Sequence, residues 1–386
     1  MRLPCLAAAD LGEHPELRWV DLRSPAEFAK DHAPGAINLP LFDDEQRAIV
    51  GTLYHKESPD AAYTRGLALV EERLPQLLEH LAGAPVAEER WRPQFEALAA
   101  ELRQGQGAVT LESTAARGND KAIGLYCWRG GMRSRSMSAL LQRLEIPTVL
   151  LEGGYKGYRG QVLARLESLK EHFQQRGQTL MMLRGPTGVG KTAILAALEA
   201  REPGSTLCLE SLAQHRSSIL GAVGRDPVSQ PSFESRLVAR LDELKPGPIF
   251  VEGESRKVGD AILPEALFQA MDEGWQFQLT AQEETRVRNL MEDYLATPNA
   301  EAEIAARLPF LEKRLGASWT GRLGEWLAEG RAAEVTAVLL ERYYDPLYAH
   351  SDQRRTWTDT LAVEQPDLLD QLLSWRDRLS AAPGNG

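Results

Sequence analysis

The run Gly185-Pro186-Thr187-Gly188-Val189-Gly190-Lys191-Thr192 constrains this chain more than any other feature, because it directly follows the apolar stretch 179–183 and precedes a helical pattern at 193–199. A glycine-rich turn between a strand and a helix points successive backbone N–H groups at an anion, and the helix start adds positive partial charge. Gly185, Gly188 and Gly190 let the backbone wrap a diphosphate. Lys191 would neutralise it, and Thr192 could hold Mg²⁺. Further strands are expected near 206–209, 248–251 and 275–279, each followed by helical pattern, so this half reads as an α/β unit with a helical C-terminal part.

At 386 residues the chain is long for one core and suits two domains. Hydrophobic residues make up 43% and charged residues 26%, an ordinary globular balance with no apolar run near the roughly 20 residues a bilayer requires. The N-terminus lacks the apolar core of a secretory signal. Three widely spaced cysteines, Cys5, Cys127 and Cys208, form no CxxC pair, which argues against a disulfide framework or structural zinc and for a reducing cytoplasm. The net charge of -11 argues against nucleic acid, but the stretch 121–176 carries ten Lys/Arg, from Lys121 to Arg176, against four acids. That local excess suits either a phosphate-binding surface or a solvated helix face.

The first half also alternates strand and helix. Trp19-Val20-Asp21-Leu22 reads as a short buried strand. Ser24-Pro25-Ala26-Glu27 reads as a capped helix start, and residues 32–40 as a turn leading into another strand. Residues 41–118 are mostly helical in pattern, with loops around 83–85 and 117–120. Strands follow at 122–126 and 148–151, with a helix from Ser134 to Leu144 between them, so a parallel sheet is expected here too. The charged stretch 156–176 reads as a helical bridge, and the tail from Ala381 as disordered.

The strand at 122–126 stops at Cys127-Trp128-Arg129-Gly130-Gly131-Met132-Arg133-Ser134. A glycine turn opening a helix makes an anion-binding nest, and Arg129 and Arg133 add full charges. Such a setting favours the thiolate, the nucleophilic form of cysteine. In the second half, Ile249-Phe250-Val251-Glu252 ends in an acid that either positions a metal or water or is a solvated strand-end carboxylate. Clusters at 215–218, 230–234 and 252–257 supply Arg216 and Arg256 as candidate phosphate clamps. Tyr343-Tyr344-Asp345-Pro346-Leu347-Tyr348 suits either base stacking or a helix end packed on the core.

Residues 19–40 and 122–155 resemble a rhodanese domain. The resemblance rests on Asp21-Leu22-Arg23-Ser24-Pro25-Ala26-Glu27-Phe28, His32-Ala33-Pro34-Gly35-Ala36-Ile37-Asn38, Cys127 and the turn Glu152-Gly153-Gly154-Tyr155. Cys127 and Arg133 also fit Cys-x5-Arg, the spacing of cysteine-dependent phosphatases. A rhodanese-like domain followed by a phosphate-loop domain, with Gly51-Thr52-Leu53-Tyr54 and Tyr344-Asp345-Pro346-Leu347-Tyr348, is similar to the bacterial tRNA 2-selenouridine synthases over nearly the whole chain. Departures fall at Ser217-Ser218 and at Gly253.

The resemblance implies a rhodanese-like domain at 1–155 with a helical insert at about 41–118, a basic linker helix at 156–178 and a P-loop NTPase-like domain at 179–386. It implies that wobble 2-thiouridine in tRNA is S-geranylated from geranyl diphosphate, and that selenium from selenophosphate then replaces the alkylated sulfur. Cys127 would carry that selenium in a persulfide-like form, with Arg129 and Arg133 holding the phosphate. Gly185, Gly188, Gly190, Lys191, Thr192, Arg216, Glu252 and Arg256 would hold the diphosphate, with Mg²⁺ on Thr192. Ile219, Leu220 and Phe233 would either line a prenyl groove or sit in the core. Lys156, Arg159 and Arg165 would contact the anticodon region. No tightly bound cofactor is expected, and the selenophosphate-producing enzyme is an expected partner. The competing readings are a sulfurtransferase or phosphatase fused to an NTP-dependent module, and a redox-sensing regulator.

Overall fold

The computed structural model describes residues 2–103, 110–113, 122–347 and 355–381. The chain divides into two compact units, Met1–Ala164 and Arg165–Gly386, within the helix Gly154–Glu167. The stretch expected as a linker is that helix followed by a second, Leu169–Gln175. Lys121, Tyr348, the loop at 117–120 and the tail beyond Ala381 lie outside the described residues. No described helix is long and apolar enough to cross a membrane.

In the first unit six strands make one parallel sheet. They are β1 (Arg2–Leu6), β2 (Arg18–Asp21), β3 (Ile37–Asn38), β4 (Thr110–Ser113), β5 (Ile123–Tyr126) and β6 (Thr148–Leu151), ordered β3-β2-β5-β6-β1-β4. β5 and β6 are buried throughout, as strands covered on both faces must be. The capping box predicted at Ser24 is present: Glu27 accepts from the Ser24 N–H at 3.1 Å and starts the helix Pro25–Lys30. The insert forms the helices Asp44–Lys56, Pro59–Ala82 and Glu88–Arg103. Leu74, Leu78, Trp91 and Phe95 from it join the same core as Val20, Leu125 and Leu150 of the sheet.

The second unit has the parallel order β13-β12-β7-β9-β8, made from β7 (Leu180–Arg184), β8 (Thr206–Leu207), β9 (Ile249–Glu252), β12 (Trp275–Thr280) and β13 (Asp359–Ala362). A small hairpin, β10 (Lys257–Val258) with β11 (Ala261–Ile262), stands apart. The chain leaves β7 toward β8 on one side and later returns to β12 on the other. The loop after β7 therefore sits at a switch point on the carboxyl edge, where ligands of such sheets bind. The C-terminal helices close around their own core, which includes Leu308, Leu311, Leu323, Tyr343 and Tyr344. The tyrosine pair thus packs inside, at a π-helical turn Leu340–Tyr344.

Candidate functional site

Two loops hold the candidate chemistry, one in each unit. Cys127 ends β5 and is only 3% exposed. Its Sγ lies 3.2 Å from Oγ of Ser134, in the first turn of the helix Met132–Arg143. The turn 152–155 clamps the loop through the backbone. Tyr155 N–H donates to the Cys127 carbonyl and Lys156 N–H to that of Trp128, both at 2.9 Å. Gly154, at φ +59°, makes this possible, since a Cβ there would stand 2.3 Å from the Cys127 oxygen.

Behind the loop lies a buried ion pair. Arg23, 1% exposed, forks onto Asp21 at 2.6–3.0 Å, donates to the Asp31 carbonyl at 2.6 Å, and sits 3.8 Å from the Tyr155 ring centre. Burial works against its charge, but the hydrogen bonds it donates to Asp21 outweigh that and hold Arg23 above its ordinary pKa. Tyr155 donates to Asp31 at 2.8 Å. The acid and arginine of the first signature thus support the loop from below. Of the predicted anion-holding arginines, Arg129 is exposed, while Arg133 is half-buried and pairs with Glu27 at 3.4 Å.

In the second unit Lys191 Nζ lies 3.4 Å from the Gly185 carbonyl and 3.9 Å from Glu254. Thr192 Oγ1 donates to Glu210 at 3.3 Å. Two side chains from the helix Glu283–Tyr294 fasten the loop: Asn289 donates to the Gly188 carbonyl and Arg286 to that of Thr187, both at 2.9 Å. Arg286 in turn forks onto Asp345 beyond the π-helical turn. A cavity of about 430 Å³ opens here, lined by the loop with Glu210, Arg216, Ser217, Ser218, Glu254 and Tyr294 among others.

Three glutamates converge beside one lysine. Glu252 is fully buried and accepts from the Glu210 backbone N–H. Burial first, then the neighbouring Glu210 and Glu254, hold its pKa far above the usual carboxylate range. Glu210 is pushed up to about 7, chiefly by burial and then by Glu254. Among the described residues no group of three His, Cys, Asp or Glu side chains is arranged to hold a metal. Thr192 offers a hard oxygen to a cation that would take its remaining ligands from a bound diphosphate.

A family model described as the tRNA 2-selenouridine synthase AAA domain matches residues 178–376. A tRNA 2-selenouridine synthase from Pseudomonas fluorescens (strain Pf0-1) is 30% identical over 92% of this chain and 93% of its own length. The chain belongs to the tRNA 2-selenouridine synthase family. Similar proteins of that name occur in Nitrosomonas europaea, 29% identical over 87% of this chain and 89% of that one, and in Bordetella bronchiseptica, 30% identical over 94% and 95%. The AAA-domain match takes in the phosphate loop, the three glutamates and Arg286. The cysteine loop lies before it.

Not every predicted residue reaches these sites in this member of the tRNA 2-selenouridine synthase family. Arg256 is exposed, pairs with Glu265 at 2.6 Å and does not line the cavity. Arg216 does line it, but is buried in a fork onto Asp293 and stacks over Tyr294. Glu252 lies beneath Glu210 and does not line it. Leu220 and Phe233 are core residues and Ile219 packs against the core. The void beside Leu220, about 40 Å³, is too small for a ten-carbon chain. Lys156 is exposed and Arg159 half-buried, whereas Arg165 pairs with Asp242 at 2.5 Å. Nine residues at 100° each put Arg165 on the opposite face of the helix from Lys156. At Gly253, a Cβ would stand 2.2 Å from Arg184 Cγ, so an acid there requires Arg184 to move. Ser218 bonds Tyr294 at 2.9 Å.

Glu210, Asn289 and Arg286 were not among the predicted site residues. Glu210 follows a two-residue strand and was findable only as an acid just past a strand end. Asn289 and Arg286 lie about 100 positions downstream of the loop, and no local motif marks them.

Proposed function

We propose that this chain converts wobble 2-thiouridine of tRNA to 2-selenouridine in two steps, one at each loop. The reading is carried by the completeness of both loops on one chain of this family: a clamped cysteine loop, and a phosphate loop whose cavity holds Glu210, a carboxylate that can take up a proton. In the first step the phosphate loop binds geranyl diphosphate. The thio sulfur attacks the first carbon of the chain, the C–O bond to diphosphate breaks, and the base loses its N3 proton to Glu210. Loop N–H groups and Lys191 stabilise the charge that develops on the leaving diphosphate. Mg²⁺, held by Thr192 and by diphosphate oxygens, would screen the same charge. Alkylation turns the sulfur into a leaving group. In the second step the selenium of selenophosphate, bound at the Cys127 loop, adds to C2 and geranyl thiolate departs; water then attacks phosphorus, the Se–P bond breaks, and inorganic phosphate leaves selenium on the base. Arg129, exposed on the same loop, would meet the anionic donor.

The test is mass spectrometry of tRNA nucleosides after incubation with each donor. Cys127→Ser should accumulate S-geranylated tRNA and make no selenouridine. Lys191→Ala should fail to geranylate, yet convert pre-geranylated tRNA. Normal selenouridine yield from Cys127→Ser would overturn the assignment. So would ATP or GTP hydrolysis stoichiometric with product, in a site geranyl diphosphate cannot compete for.

A further inference from the structure

The helical insert borders a cavity to which neither step above assigns a role. It measures about 410 Å³ and lies between the helices Asp44–Lys56, Pro59–Ala82, Glu88–Arg103 and Met132–Arg143. Its walls are mostly apolar, with Val50, Ala62, Leu67, Phe95, Leu98 and Met137 among them. Protein interiors pack as densely as organic crystals, and voids larger than a water are few. An apolar space of this size inside a small α/β unit is the size of a ligand pocket.

Its position narrows the ligand. One wall is the helix that starts at the cysteine loop. Arg133 and Ser136 line the cavity, and between them Ser134 contacts Cys127 Sγ at 3.2 Å. At the rim Met132 is 56% exposed, an apolar flexible side chain beside the loop. The charged side chains of the lining, Arg47 and Arg133, both lean on Glu27, at 3.7 and 3.4 Å. The segment 51–54, which has no part in either step, gives Gly51 and Tyr54 to the lining. A molecule seated here would have an uncharged, hydrocarbon body and a polar head near Cys127.

We infer that this cavity receives the alkyl chain of S-geranylated 2-thiouridine, so that the base is presented to the cysteine loop for selenium transfer. The inference rests on the two-step reading above and adds a second prenyl-recognising site, remote in sequence from the diphosphate loop. Such a site would give selenium transfer a preference for long-chain thioethers over short ones.

The experiment uses the full chain, selenophosphate, and anticodon stem-loop RNAs carrying S-geranyl- or S-methyl-2-thiouridine. Val50→Phe and Leu67→Phe fill the cavity from two different helices. The ratio of kcat/KM for the geranyl substrate to that for the methyl substrate should exceed ten in the wild type. It should fall at least tenfold in both variants. A ratio unchanged by both variants, or equal losses on both substrates, would overturn the inference. A wild type that ignores both thioethers but selenates plain 2-thiouridine RNA would overturn the two-step reading itself, and this inference with it.

Discussion

At the scale of single residues, the phosphate-loop cavity is governed by an excess of carboxylates over cations. Glu210 has its pKa raised to about 7 by burial and by Glu254. A folded-state pKa above the unfolded value of about 4.3 means that the folded chain binds the extra proton. This stabilisation is fully present below about pH 4.3 and is lost as pH rises through 7. The expected slope is at most about 1.4 kcal/mol per pH unit within that window. Glu210→Gln keeps a hydrogen-bonding group near Thr192 and removes the titration. The variant should gain stability relative to wild type as pH rises from 5 to 8, read by urea unfolding at each pH. A constant difference across that range would show that Glu210 does not titrate there. Gly154 makes a steric prediction. Alanine would drive a methyl group into the Cys127 carbonyl and the Gly130 N–H, at 2.3 and 2.4 Å. Gly154→Ala should cost on the order of 2 kcal/mol or more and abolish selenium transfer, while geranylation survives. Wild-type selenium transfer in that variant would show that the clamp is dispensable.

At the scale of elements, the phosphate loop is held by a helix that does not adjoin it in sequence. Arg286 joins the Thr187 carbonyl to Asp345, at the end of a π-helical turn, so loop and C-terminal helices share one buried cation. Arg286→Ala should weaken binding of inorganic diphosphate by about tenfold, roughly 1.4 kcal/mol, by calorimetric titration. Asp345→Asn should act in the same direction but less. Affinity at the wild-type level in Arg286→Ala would mean the loop holds its shape unaided. This dependence also explains what the sequence made legible. Strands β5, β6, β7 and β9 are apolar runs, β2 carries the apolar pair Trp19-Val20, β12 alternates, and the two loops carry dense local patterns, so these were readable. β1 contains Pro4 and β13 buries only Leu361, so neither repeats long enough to show a period. The strands expected after the 32–40 turn and near 206–209 form as β3 and β8, only two residues each, and the hairpin strands, which were not foreseen, are as short. Arg286 and Asn289 belong to the site by tertiary position alone. The tyrosine pair resolved toward packing because its rings fill the C-terminal core. The prenyl groove could not be placed, because an apolar residue in a helix reads the same whether it faces a core or a cavity.

At the scale of the whole molecule, an acidic protein must still hold a polyanion. The net charge is -11, so any tRNA contact depends on where positive charge is locally uncompensated. The basic stretch is less continuous than its composition suggests. Arg143 pairs with Glu101, Arg165 with Asp242 and Arg133 with Glu27, while Arg135 and Arg176 donate to backbone carbonyls. Lys156 and Arg159 lie three positions apart on one face of the helix Gly154–Glu167, with Lys156 exposed. Arg129 is also exposed, on the cysteine loop that Lys156 N–H helps to clamp. We therefore place the phosphate contacts at Arg129 and Lys156, and leave Arg165 to its pair with Asp242. Each phosphate neutralised releases counterions, so log affinity falls with log salt by about 0.7 per contact for single strands and about 0.9 for duplex. Replacing Arg129 and Lys156 together with glutamate should weaken tRNA binding, and the salt slope should flatten by about 1.4 to 1.8. Arg165→Glu should leave the slope within about 0.3 of wild type, since a paired cation on the far face releases few counterions. Filter binding from 50 to 300 mM salt reads both quantities. A slope that responds to Arg165→Glu and not to the double variant would put the tRNA on the other face of the helix.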